Sequence, residues 1–276
     1  MSRADEILAQ ADPLYFFDYA LFTGAIRHHA AKTFEDAFKA DPNPIHRRLH
    51  IVNLIKEEYA AYEDAGSMLD AFLAYREGTV RVPLARLIQF KARDVELARV
   101  FESHQIASGD ELRAALRPEE WIPPRWEEWF PQLDLPKALH FACRFFAECR
   151  QTQTLHGVLS YNKIKHGLLI VPSANAYKPD LPDAPAAFFP NTRQRVESGA
   201  SPYAMAPFDM SNRGIETRYS VVEFIQCNLR LLAGLYVTWR YPDSLRRRGV
   251  ADPYELFACQ EFYDMRHLIE EVTLKK

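Results

Sequence analysis

The chain has 276 residues, 48% of them hydrophobic and 26% charged, with a net charge of −3. That is enough sequence to bury a sizeable core, and the balance carries no global basic footprint of a duplex-coating protein. Only 10 glycines stand against 18 prolines, and neither GxGxxG nor GxxxxGK[ST] occurs, which argues against a glycine-rich phosphate loop.

In chain order, Asp12-Pro13 reads as N-cap and N1 of a first helix reaching about Ala40, with Leu14, Phe17, Leu21 and Ala25 at helical spacing. Pro42 and Pro44 stop it. A second helix is expected from about Ile45 to Arg76, closed by Gly78 as its C′ residue. Short helices follow near 83–91 and 94–104, and Ser108 caps another. Trp121, Trp126 and Trp129 then lie among prolines and are expected to tuck onto the helices rather than to form an exposed platform for bases.

The third long helix runs from Pro136 to about His166, with Phe141, Phe145, Glu148, Thr152, Leu155, Leu159, Asn162 and His166 on one stripe. A short strand near 168–171 precedes the Pro-rich stretch 172–216. So long a structureless loop is unfavourable in a compact domain, so a small β-hairpin or ordered lid is expected there. A fourth long helix covers 217–241, and a last one about 252–272. The expectation is an all-α protein: one helical domain over 1–276, a bundle of four or five long helices with short accessory helices, and 172–216 as an irregular, hairpin-bearing insertion.

Cys143, Cys149, Cys227 and Cys259 show no CxxC spacing and sit in apolar helices, as reduced core thiols do. The charged MSRADEILAQADP lacks a signal-peptide core, and the apolar run 231–239 is too short to span a bilayer. A cytoplasmic protein without a membrane partner is expected.

Each later long helix carries polar residues in its apolar stripe: Glu58, Glu148, Asn162 with His166, and Asn228. Facing one another, Glu58, Glu148 and Asn228 would form a supporting polar cluster, since buried polar groups cost several kcal/mol unless hydrogen-bonded. Such a cluster could simply fix helix register. A ligand pocket lined by Glu58, Tyr62 and Asn228 is a weaker alternative.

The sharper reading concerns 161–167, YNKIKHG. His166 lies in a last helical turn, where the macrodipole favours imidazolium, with Lys163 and Lys165 beside it. An imidazole near two ammonium groups can hold a phosphate and move protons near neutral pH. An all-α chain with Asn162-x3-His166 at a helix end resembles the HEPN superfamily (higher eukaryotes and prokaryotes nucleotide-binding). The resemblance implies metal-independent RNA cleavage at a homodimer interface, in toxin or defence systems, with no cofactor. It places Asn162 and His166 in catalysis, and the residue chemistry adds Lys163, Lys165 and Tyr161 as phosphate-binding candidates. Tyr161 stands where the family has arginine; a phenol donates a hydrogen bond but supplies no positive charge. The looser arginine-to-histidine spacing occurs at Arg99…His104 and Arg150…His156. The rival expectation is a non-catalytic helical interaction module with a structural polar cluster.

His46 and His50 have the i, i+4 spacing of zinc ligands, but Arg47 and Arg48 between them disfavour a cation, and no metal is expected. Arg246-Arg247-Arg248 reads as a solvated turn or as a contact to an RNA backbone.

Overall fold

The computed structural model describes residues 3–19, 24–89, 96–129, 131, 134–155, 171–172, 185–188, 197–199, 204–207 and 211–249. Most of these are helical. In order they form α1 (Arg3–Asp18), α2 (Gly24–Ala40), α3 (Pro44–Arg76), α4 (Pro83–Leu87), α5 (Leu97–Ser103) and α6 (Gly109–Leu116). A 3-10 turn (Pro118–Trp121), α7 (Trp126–Trp129), α8 (Leu135–Leu155), α9 (Asn212–Arg240) and α10 (Pro242–Arg247) follow. Between α8 and α9, β1 (Val171–Pro172), β2 (Pro185–Phe188) and β3 (Ala204–Pro207) pair antiparallel in the order β1-β2-β3. Ala187 faces Val171 on one side and Met205 on the other. The expected helix 252–272 lies outside the described residues.

The chain divides into two compact units. One comprises Met1–Ile26, Glu63–Arg150 and Phe224–Lys276; the other comprises Arg27–Tyr62 and Gln151–Glu223. The divisions fall inside α2, α3, α8 and α9, at no linker.

In the first unit, Phe16, Phe72, Trp121 and Tyr236 form an aromatic core with ring centroids 5.1–5.7 Å apart. Trp121 and Trp126 are buried, as the sequence suggests. The Arg76 guanidinium lies 4.7 Å from the Trp121 ring and donates to the carbonyls of Leu116 and Arg117 at 2.6 and 2.8 Å. It thereby satisfies the orphan acceptors where α6 ends. Arg150, one of the loosely spaced arginines, does the same for Ile106 and Ala107 at 3.3 and 3.1 Å.

Helix ends follow their local chemistry. Gly78 has φ +74°, and Thr79 N–H bonds Ala74 O while Gly78 N–H bonds Tyr75 O, a Schellman motif closing α3. Ser108 Oγ accepts from Glu111 N–H at 3.2 Å and opens α6. Asp12-Pro13 departs from expectation. Pro13 lies inside α1, and Asp12 is buried, accepting from Leu84 N–H at 3.0 Å and Tyr236 Oη at 2.8 Å. Its carboxylate serves the first turn of α4 instead of its own helix. Burial raises its pKa, against the pull of those hydrogen bonds.

Cys143, Cys149 and Cys227 are buried free thiols, and burial pushes Cys143 up to about 12. Cys259 lies outside the described residues. By length and composition α9 could cross a membrane, but its most apolar window is 89% buried inside the protein.

Candidate functional site

Tyr161, Asn162, Lys163, Lys165 and His166 lie outside the described residues, as does His156. The three supporting residues meet three different fates. Glu58, on α3 in the second unit, is buried. Its carboxylate accepts from Tyr62 Oη at 2.8 Å and from the guanidinium of Arg218 on α9. Tyr62 stands one turn after Glu58, so the helix itself supplies that donor. The adjacent Tyr59 phenol is raised by burial and then by the Glu58 charge.

Asn228, in the first unit, is also buried, but its amide donates to the Phe224 carbonyl of its own helix at 2.7 Å. Glu148 is exposed, which corrects its placement on a buried stripe. Along α8 the buried positions include Leu135, Ala138, Leu139, Ala142, Cys143, Phe146, Ala147 and Cys149, whereas Phe141 and Phe145 are only partly buried. The sequence pattern follows the flanking phenylalanine row, and Glu148 lies beyond its edge.

The second unit holds a further polar group, between α2 and α9. His28 Nε2 lies 2.5 Å from Tyr219 Oη and 3.3 Å from Glu223 Oε1, and Tyr219 Oη donates to the same Glu223 oxygen at 3.2 Å. Imidazole, phenol and carboxylate are thus within proton-exchange distance. Lys32 stands 5.2 Å from the Tyr219 ring centre.

Three cations of this unit are matched by carboxylates. Arg27 pairs with Glu57 at 2.9 Å, Lys32 with Glu35 at 2.7 Å, and Lys39 with Glu35 at 2.8 Å and Glu216 at 3.2 Å. This lattice therefore supplies little net positive field for an incoming phosphate.

A second charged cluster lies in the first unit. His104, at the C-cap of α5, places Nε2 2.9 Å from Asp70 and Nδ1 2.6 Å from Glu77. Arg86 closes on Asp70 at 2.6 Å. Burial opposes the imidazolium, but hydrogen bonds to both carboxylates outweigh it and the pKa of His104 is raised. Burial likewise opposes the Asp70 carboxylate, and His104 with Arg86 brings its pKa down. His104 is thus tied into an ion network between helices, and Arg99 pairs with Glu96 at 3.2 Å. That occupies both ends of the first loosely spaced arginine–histidine pair.

His46 and His50 both approach Asp41 Oδ2, at 3.4 and 3.3 Å. Among the described residues no group of three or more His, Cys, Asp or Glu is arranged to hold a metal ion.

Sequence reasoning missed Arg218, His28 and the Tyr219–Glu223 pair. The i, i+4 spacing of Tyr219 and Glu223 is visible in the chain, but nothing marks His28 as their partner across 191 positions. Comparison with protein-family models, with curated proteins and with solved structures finds no match.

Proposed function

We propose that this protein is a HEPN-like helical protein that binds the phosphate of RNA or of a nucleotide through the segment 161–167, as a homodimer acting on RNA without a metal. What carries the reading is the segment itself, in which an amide, an imidazole and two ammonium groups stand within five residues. In this scheme Asn162 orients the phosphate, Lys163, Lys165 and Tyr161 bind it, and His166 takes the proton from the attacking ribose hydroxyl as its oxygen bonds phosphorus; the P–O bond to the next ribose breaks and the departing oxygen takes a proton from water. The finer architecture goes with it: a bundle of long helices in which 172–216 is a hairpin-bearing insertion, supported by the pairing of β2 with β3.

The test is direct. His166→Ala in the purified protein is expected to abolish cleavage of a labelled RNA oligonucleotide and to weaken its binding about tenfold. Cleavage by the wild type should survive a chelator. Unchanged binding and cleavage in the variant would end the proposal.

One observation favours the second reading, a non-catalytic interaction module. Glu58 is closed onto Tyr62 and Arg218, as a structural polar cluster would be. RNA affinity that falls steeply with salt would count against it, because counterion release marks phosphate contacts.

A further inference from the structure

The arginine run after α9 is not used by the site above. Tyr241 N–H bonds Val237 O at 2.8 Å and Leu245 N–H bonds Tyr241 O at 3.2 Å, so α10 follows α9 with one intervening residue. Gly249, at φ +86°, ends the turn. Over 239–248 only Leu245 is buried, and it anchors the turn to the first unit. Trp239, Arg240, Arg246, Arg247 and Arg248 are exposed.

The indole of Trp239 is 41% exposed although one side of it is engaged, with Trp121 6.4 Å and the Arg76 guanidinium 5.9 Å away. Arg246 reaches Asp243 at 3.4 Å with both side chains largely in water, a weak tie. Arg247 donates to Ser244 Oγ at 3.3 Å, and Arg248 reaches Asp18 at 3.3 Å. Arg240 lies over the Tyr241 ring at 5.8 Å and feels the buried Asp12 charge. Among the described residues no carboxylate lies within ion-pair distance of Arg247. On a chain of net charge −3, this short stretch combines four exposed arginines with an exposed indole.

From this arrangement we infer that 239–248 binds single-stranded nucleic acid, the guanidinium groups contacting successive phosphates while a base stacks on Trp239. Arginine pairs with phosphate through parallel N–H donors, and an exposed indole accepts any base face. A duplex fits poorly, since α10 is only about 9 Å long at 1.5 Å per residue and the bases of a duplex stay stacked away from the indole. The surface shares the polyanion of the proposed function but none of its residues, so the two can fail separately.

The experiment measures binding of a fluorescein-labelled oligo(U) 12-mer to the full chain over a salt series. Arg246→Ala/Arg247→Ala is expected to weaken binding at least tenfold. It should also lower the log–log salt slope by about 1.4, at roughly 0.7 for each single-strand phosphate contact. Trp239→Leu, which keeps an apolar side chain against Trp121, should weaken binding about tenfold with the slope unchanged.

Variants that bind like wild type, while His166→Ala does not, overturn this surface and leave the 161–167 reading standing. Loss in the arginine and tryptophan variants alone leaves this surface standing, and cleavage by His166→Ala then decides the other reading. Absence of oligo(U) binding overturns this surface. Patch-dependent binding of poly-glutamate or of phosphatidylserine vesicles as tight as that of oligo(U) overturns the nucleic-acid assignment, because charge alone would then suffice.

Discussion

The buried pair of Glu58 and Arg218 offers the sharpest quantitative test of how the second unit is held. Their side chains are 7% and 16% exposed, so neither ion is well hydrated. Arg218→Met keeps the length and apolar stem but removes the guanidinium, leaving the Glu58 carboxylate with the Tyr62 hydroxyl as its hydrogen-bond donor. Breaking one partner of a buried pair costs about 3–5 kcal/mol, and the residual exposure of Arg218 places the expectation near the lower end, about 3 kcal/mol. Glu58→Gln removes the charge from the other side. In the double variant no ion is stranded, so a coupling energy of roughly 2 kcal/mol is expected from the cycle. All four tryptophans lie in the first unit, so urea unfolding should be followed by far-ultraviolet circular dichroism, which reads helices in both units. A loss below about 1 kcal/mol for Arg218→Met, with coupling under about 0.5 kcal/mol, would show that the pair is screened like a surface contact and would refute the reasoning.

Two further outcomes follow from the described geometry. The His104 network should make stability pH-dependent in a defined sense. The folded pKa of His104 is raised, so its contribution is complete below the unfolded value of about 6.5 and is lost as pH rises through the folded one. The folded pKa of Asp70 is lowered, so its contribution is present above about 3.9 and is lost as pH falls through the folded value. Together they are fullest between about pH 4 and 6.5; His104→Gln should cost about 1.5–3 kcal/mol at pH 5.5 and less at pH 8.5, read from urea midpoints. Gly109→Ala should also destabilise, because its Cβ would stand 2.5 Å from Arg144 Cα and 2.7 Å from Arg144 N. Backbone cannot swing aside as a side chain can, so a loss of about 1–3 kcal/mol in thermal unfolding is expected.

The parts of the fold that show in the sequence are those set by short-range chemistry. The expected helix over 45–76 is Pro44–Arg76, because Pro44 pre-sets its first turn and Gly78 accepts the left-handed conformation that ends it. Ser108 opens α6 for the same kind of local reason. Asp12-Pro13 carries an equally good local signal and is used otherwise, since Leu84 N–H and Tyr236 Oη lie 72 and 224 positions away. The division into two units left no compositional mark because it passes through helices instead of linkers.

A polar residue on an apolar helical stripe states a question that local periodicity cannot answer. Glu58 solves its burial by pairing with Arg218, Asn228 by bonding back to Phe224 O, and Glu148 by lying outside the buried row altogether. These solutions differ in what they leave for a ligand. The Glu58 carboxylate is neutralised by a guanidinium, the Asn228 amide is held by its own helix, and an exposed carboxylate repels phosphate. Asn162 and His166 have the same sequence signature but differ in one respect: their nearest neighbours in the chain are Lys163 and Lys165, with no acid between 149 and 179. The pairing that closes Glu58 therefore has no local counterpart there, and a carboxylate would have to come from elsewhere in the fold to neutralise the segment. That asymmetry of charge is why the phosphate reading rests on 161–167 and not on the carboxylate-bearing group around His28.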